Sequence, residues 1–151
     1  MPRFSGVITA KLDAKGRVFF PSAFRRQLQA AETEFVLKKD IYQPCLVIYP
    51  LAAWQKEVDE VAARLNRWNP GEAMLFRQFL ADAETITLDG NGRFLISRRL
   101  QDYAKLDHEV AFVGVDDRVE VWAKAAAEQP FVAADDYAAA FERAMGTGPL
   151  S

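Results

Sequence analysis

Histidine and cysteine are nearly absent from this chain: its 151 residues contain one of each, His108 and Cys45. A lone cysteine closes no internal disulfide. With a single imidazole in the other half of the chain, no Cys-His pair, Ser-His-Asp triad or His/Cys metal cluster can be assembled. Cys45 therefore reads as a buried structural thiol. His108, in Leu106-Asp107-His108-Glu109, reads as an exposed turn residue. The twenty-one acids show no motif, which leaves a paired-carboxylate hydrolase open on the residues alone. Long apolar runs are missing too. None approaches the roughly 18 residues that a spanning helix needs, and no signal peptide is evident. The expectation is a cytoplasmic protein with no membrane partner, no metal, no cofactor and no enzymatic activity. Nor is there an excess of one charge, since the net value of −2 argues against a generic polyanion binder.

What is present is a repeat, and self-similarity comes first in reading a chain. Leu12-Asp13-Ala14-Lys15-Gly16-Arg17 returns as Leu88-Asp89-Gly90-Asn91-Gly92-Arg93, shifted by 76 positions. An apolar run precedes each copy, and another (Val18-Phe19-Phe20, Phe94-Leu95-Ile96) follows it. A short Arg-bearing amphipathic segment comes next, Ser22 to Leu28 or Ser97 to Tyr103. Two more apolar runs complete each half: Phe35-Val36-Leu37 and Leu46 to Tyr49 in the first, Val110 to Val115 and Val119 to Trp122 in the second. Val7 to Leu12 and Val18 to Phe20 read as two short strands around a tight turn in which Gly16 suits a positive φ.

Between the halves, Leu51, Trp54, Val58, Val61, Leu65 and Trp68 recur at three or four, predicting an amphipathic helix that Asn69-Pro70-Gly71 stops. A second helix carries Met74, Leu75, Phe76, Phe79 and Leu80. Trp54, Trp68 and this Phe-rich helix read as core or subunit interface. The chain is thus expected to be one α+β domain, residues 1–151, made of halves at about 1–50 and 84–129 joined by a helical hairpin at 51–83. A helix is expected near Ala123 to Glu128. A last one should span about 133–145, before a frayed Gly146-Thr147-Gly148-Pro149 tail.

The charge is unevenly spread: +5 over residues 1–30, −3 over 31–87, +2 over 88–106 and −6 over 107–151. Both positive stretches coincide with the repeated turn, where a local field can steer an anion. Arginine can fork onto guanine O6 and N7 or onto a phosphate, but its long stem needs a holder. Asp13 and Asp89, four positions before Arg17 and Arg93, are suited to that task. Lys15 and Lys11 would add phosphate contacts that position the turn without reading sequence. Arg25, Arg26, Arg98 and Arg99 divide between phosphate contact and a solvated helix face. Asp89-Gly90-Asn91-Gly92 is no calcium loop, because Arg93 stands where a third oxygen ligand belongs.

The duplicated Asp-x-x-Gly-Arg followed by an apolar triplet, with Phe20 to Arg25, Tyr103, Val113-Gly114 and Asp117 to Trp122, resembles the MraZ family of bacterial transcriptional regulators. That resemblance covers nearly the whole chain. It implies a pseudo-twofold double-split β-barrel of two AbrB-like swapped-hairpin halves with flanking helices. It further implies a homo-oligomeric ring, association with the nucleoid, and binding to direct promoter repeats upstream of the division and cell-wall gene cluster. Double-stranded DNA would be met by Asp13, Lys15 and Arg17 and by Asp89, Asn91 and Arg93. The second turn, with Asn91 in place of Lys15 and Ser97 in place of Pro21, is expected to be the less basic one. The competing reading is a ring-forming scaffold whose arginine turns bind an acidic protein partner.

Overall fold

The computed structural model describes residues 2–29 and 32–146. Each half follows the same order. The first contains β1 (Val7–Lys11), β2 (Arg17–Phe19), the short helix α1 (Ser22–Arg25), β3 (Glu34–Lys39) and β4 (Leu46–Pro50). The second contains β5 (Glu84–Thr87), β6 (Arg93–Leu95), α4 (Arg98–Ala104), β7 (Glu109–Val115) and β8 (Arg118–Ala123). Helices α2 (Leu51–Arg64) and α3 (Pro70–Ala81) lie between them, and α5 (Ala134–Gly146) follows. The remaining tail, Thr147 to Ser151, falls outside the described residues.

The strands do not pair within their own half at the turn. β1 and β2 flank one turn, yet β1 pairs antiparallel with β7 and β2 with β6. Likewise β5 pairs with β3. Six strands form one sheet in the order β1-β7-β8-β4-β3-β5, and β2 with β6 form a separate two-stranded ribbon. Exchanging each strand for its repeat partner reverses the six-strand order and leaves it unchanged. The sheet is therefore pseudo-twofold about the β4–β8 contact, and the two halves interleave.

The expected barrel is met only in part. The molecule is α+β with two interleaved repeats. However, its six-stranded sheet is open, because no pairing joins the end strands β1 and β5 among the described residues. The reason lies in the turns: at each, the chain leaves the sheet to build the ribbon.

One apolar cluster draws on both halves. Val18 and Phe20 from the first ribbon strand and its end meet Phe94 and Ile96 from the second, against Phe35, Leu37, Val110 and Phe112. The ring of Phe20 lies within 6.4 Å, centroid to centroid, of Phe24, Phe35, Phe94 and Phe112. Such aromatic clustering contributes beyond the area it buries, and it pins the ribbon to the sheet.

The other face of the sheet is covered differently in each half. Over β3 and β4, Val36, Val47 and Tyr49 pack against Ala53 and Trp54 of α2, and Trp54 stacks on Phe79 of α3. Over β7 and β8, Cys45, Ala111, Val113 and Trp122 pack with Ala126 and Ala127. The buried placement of Cys45 agrees with the sequence reading, and burial raises its thiol pKa.

Three local expectations are corrected. Asn69-Pro70 opens α3 rather than merely stopping α2: the Asn69 side chain accepts from the amides of Gly71 and Glu72 (3.0 and 3.2 Å), and Pro70 takes the first helical position. Trp68 lies beyond α2 rather than on it and is 84 % exposed, which removes the core alternative of its expected role. Residues 123–128 supply only a single 3-10 turn, Lys124–Ala126.

Candidate nucleic-acid interface

The two turns are superimposable in their hydrogen bonds. In the first, Asp13 Oδ1 accepts from the amides of Lys15 (2.9 Å) and Arg17 (2.8 Å), while Oδ2 accepts from Arg17 Nε (3.0 Å). In the second, Asp89 Oδ1 accepts from Asn91 (2.8 Å) and Arg93 (2.9 Å), and Oδ2 from Arg93 Nε (3.0 Å). The backbone closes each turn in the same way. Asp13 N donates to Arg17 O, and Gly16 N donates to Asp13 O; Asp89, Arg93 and Gly92 repeat the pattern. Gly16 and Gly92 have φ of +87° and +83°, a region open to glycine and strained for other residues.

Each aspartate thus does two jobs at once. One oxygen fixes the loop, and the other clamps its arginine at Nε. The terminal guanidinium nitrogens make no hydrogen bond or ion pair among the described residues, so their four N–H groups are available to a ligand. The amide hydrogen bonds from Arg17 and Arg93, ahead of the side-chain contacts, hold both carboxyls below the usual carboxylate range.

The ribbon sets what surrounds these arginines. Arg17 lies opposite Leu95, and Phe19 opposite Arg93. Alternation along the strands buries Val18 and Phe94 in the core. It leaves Arg17 and Phe19 on one strand, and Arg93 and Leu95 on the other, sharing the outward face. Phe19 and Leu95 are both exposed. The Arg93 guanidinium lies 5.9 Å from the centre of the Phe19 ring.

Each turn is held from behind by the opposite half. Ile96 N donates to Gly16 O (2.8 Å), and Phe20 N donates to Gly92 O (2.9 Å). Gln101 of α4 stands behind Gly16 and donates to Ile96 O (2.7 Å). The guanidinium of Arg25, from α1, stands behind Gly92. Hence Arg25 is brought to the second turn, although it belongs to the first half by sequence. The first turn has Lys15 on it and a neutral Gln101 behind it; the second has Asn91 on it and a cationic Arg25 behind it. Only the swap reveals this, since spacing along the chain assigns Arg25 to the wrong turn.

The remaining cations are placed unequally. Lys11, at the end of β1, and Lys15 are exposed close to the first turn. Arg26 is exposed on the segment after α1. Arg98 pairs with Asp102 at 3.5 Å. Arg99, half-exposed, is met by Asp82 (2.6 Å) and Glu84 (2.5 Å), which tie α4 to the α3–β5 junction.

Comparison with known proteins agrees with the twofold construction. The family model for the MraZ protein (described as "MraZ protein, putative antitoxin-like") matches twice, over residues 4–78 and 79–146. A transcriptional regulator MraZ from Phocaeicola vulgatus is 51 % identical over 146 residues, covering 96 % of this chain and 95 % of that protein. One of the same name from Idiomarina loihiensis is 39 % identical over 124 residues, covering 82 % and 81 %. Another from Yersinia pestis is 36 % identical over 120 residues, covering 79 % and 78 %. With two family matches that together span the interleaved halves, and relatives alike over most of their length, this chain belongs to the MraZ family.

Proposed function

We propose that this protein is a sequence-specific DNA-binding transcriptional regulator, not an enzyme, and that it reads direct repeats in the promoter upstream of the division and cell-wall gene cluster. Its relatives carry the name transcriptional regulator. The observation that carries the reading is the β2–β6 ribbon. Its outward face bears two arginines, each clamped at Nε by its own aspartate, with terminal N–H groups that meet no partner among the described residues. A two-stranded ribbon fits the major groove, where a bidentate arginine distinguishes guanine. Fixing the stem beforehand reduces the ordering cost on binding. Asp13 and Asp89 are then holders, Arg17 and Arg93 readers, and Lys15, Lys11, Asn91, Arg25 and Arg26 neighbours that position the phosphates. We read the sheet and ribbon together as the family's split barrel and the chain as one folding unit, because the shared core leaves neither half complete.

Affinity requires more than one chain. A single ribbon neutralises few phosphates, and the acidic remainder of the molecule opposes binding. Apolar side chains on the surface support self-association into a ring: Trp68 and Met74 around α3, and Tyr137, Phe141 and Met145 on α5, are exposed. Neighbouring subunits would then engage neighbouring repeats with a raised effective concentration. Light scattering should give a homo-oligomer at micromolar concentration; a monomer throughout would sink the ring.

The deciding experiment is a mobility-shift assay on the DNA upstream of the protein's own gene, at fixed moderate salt. Affinity is expected to rise steeply from one repeat to three. It is expected to collapse when the spacing is changed by half a helical turn, roughly 5 bp. Equal binding to scrambled DNA would favour the scaffold reading, in which the same arginines bind an acidic protein.

A further inference from the structure

The outer face of the sheet carries one residue that the repeat marks as out of place. Lys38 of β3 lies opposite Val47 of β4, and the corresponding pair in the second half is Val113 of β7 opposite Glu120 of β8. Val113 packs with Ala111 and Trp122, as a covered sheet face requires. The fold therefore needs only an apolar side chain at this position. Lys38 is nonetheless 3 % exposed, and burial pushes its ammonium below the ordinary lysine range. Its Nζ donates to Lys39 O (3.1 Å) and rests 4.5 Å from the centre of the Phe79 ring. Among the described residues it forms no ion pair. Asp82, Asp40 and Glu57 attract this ammonium without contact and do not offset its burial, so its presence calls for a reason beyond packing.

That amine borders a cavity of about 840 Å³ between the β3–β4 loop, the α2–α3 hairpin and α4. Val61, Leu75 and Phe79 give the cavity an apolar wall, and Arg64 brings a second cation without an ion pair among the described residues. Two acids line it, but both are occupied. Asp82 is held by Arg99 (2.6 Å) and by the amide of Lys39 (2.9 Å), and Asp40 accepts from the amides of Tyr42 and Gln43. Four cations, Lys38, Lys39, Arg64 and Arg99, stand against these two acids along the wall, so its net charge is positive. The volume falls within the roughly 300–1,000 Å³ of small-molecule sites, which combine apolar walls with a few polar anchors.

We propose that this cavity binds a small amphiphile with an anionic head, held by Lys38 and Arg64, and an apolar body along Val61, Leu75 and Phe79, and that its occupancy is felt at the first turn. The link is α4. Its Arg99 and Tyr103 line the cavity, while Gln101, on the same seven-residue helix, stands behind Gly16 and holds Ile96 O. A ligand that shifts α4 changes the support of the turn carrying Arg17. This coupling rests on the DNA reading of the ribbon; the binding itself does not.

The test uses the full chain and two probes with similar apolar bodies, anionic 1-anilinonaphthalene-8-sulfonate and uncharged N-phenyl-1-naphthylamine. The expected result is one anionic probe per chain, preferred over the neutral one by about tenfold and displaced by submicellar dodecyl phosphate. Lys38→Met should abolish that preference, Arg64→Gln should weaken it, and Lys124→Met, at an exposed position, should leave it intact. Lys38→Met places an apolar side chain where the second half has Val113, so the variant is expected to fold. Equal uptake of both probes, or an unchanged preference in Lys38→Met, overturns the site. Uptake that falls as protein concentration rises assigns the cavity to a second copy of the chain and overturns it as well. Saturating dodecyl phosphate should shift affinity for the promoter repeats about fivefold, and DNA should shift probe affinity by the same factor, because coupling is reciprocal. Unchanged DNA affinity in a protein that binds both overturns the coupling. A protein that binds no repeats without amphiphile counts against the DNA reading, and the probe titration then judges the cavity by itself.

Discussion

The two arginine turns hold their arginines with the same atoms but rest on different supports. Asp13 and Asp89 make the same three side-chain contacts within 0.1 Å of each other. Behind the first turn stands the neutral Gln101, itself bonded to a main-chain carbonyl; behind the second stands the charged end of Arg25. The geometry of the reading arginine is thus set locally, by five consecutive residues with a glycine fourth among them. The charge and stiffness around it are set by the opposite half. A turn motif can be copied intact by duplication, whereas its environment is free to diverge wherever the swap brings in a different helix.

The largest effect should come from removing the readers themselves. Arg17→Ala and Arg93→Ala are each expected to lower affinity for the promoter repeats by about 10–100-fold, the value of one bidentate guanine contact. Melting temperatures should stay close to the parent, because a part-exposed turn residue typically contributes under about 0.5 kcal/mol. Fluorescence anisotropy on specific and scrambled duplexes measures both variants. Equal losses would mean that Arg25 compensates for the missing lysine of the second turn; a milder loss for Arg93→Ala would mean that it does not.

Stability should separate the turns next. A Cβ on Gly16 would meet Ile96 O, which is main chain, whereas one on Gly92 would meet only the end of Arg25. Both substitutions pay for a positive φ. Gly16→Ala should therefore cost about 1–3 kcal/mol in urea unfolding, and Gly92→Ala about 1. The reverse order would show that Arg25 is a fixed support rather than a yielding one.

A smaller effect tests the crossing of the halves directly. Arg25→Gln should weaken DNA binding by about two- to fivefold, as loss of one phosphate contact would. In double-mutant cycles it should couple to Arg93→Ala and act independently of Arg17→Ala. Coupling to Arg17 instead would place Arg25 with the turn of its own half.

The smallest effect concerns pH. The carboxyls of Asp13 and Asp89 are lowered in the folded protein, so the stability they add is fully present above the unfolded carboxylate pKa, about 3.9, and is lost as pH falls through the folded values. The stability difference between parent and Asp13→Asn should hold steady from pH 7 to pH 5 and shrink below about 4. A difference that vanished by pH 5 would mean the aspartate is not clamped.

Much of this molecule can be read without coordinates, for a physical reason. Turns, caps and alternating strands are local devices, governed by residues a few positions apart. Leu12 to Arg17 and Leu88 to Arg93 therefore announce two aspartate-clamped turns, and the run from Phe35 to Tyr49 announces two strands. Pairing is not local. Nothing within Val7–Phe20 says that β1 and β2 refuse each other and join β7 and β6, because the alternative hairpin would satisfy the same alternation. The shared aromatic core around Phe20 and Phe94 decides it, since only the swapped ribbon buries both rings against Phe112. From that choice follow the consequences invisible in the chain: Arg25 behind the wrong-numbered turn, Arg99 drawn to Asp82 and Glu84, and Lys38 buried where its repeat partner is a valine.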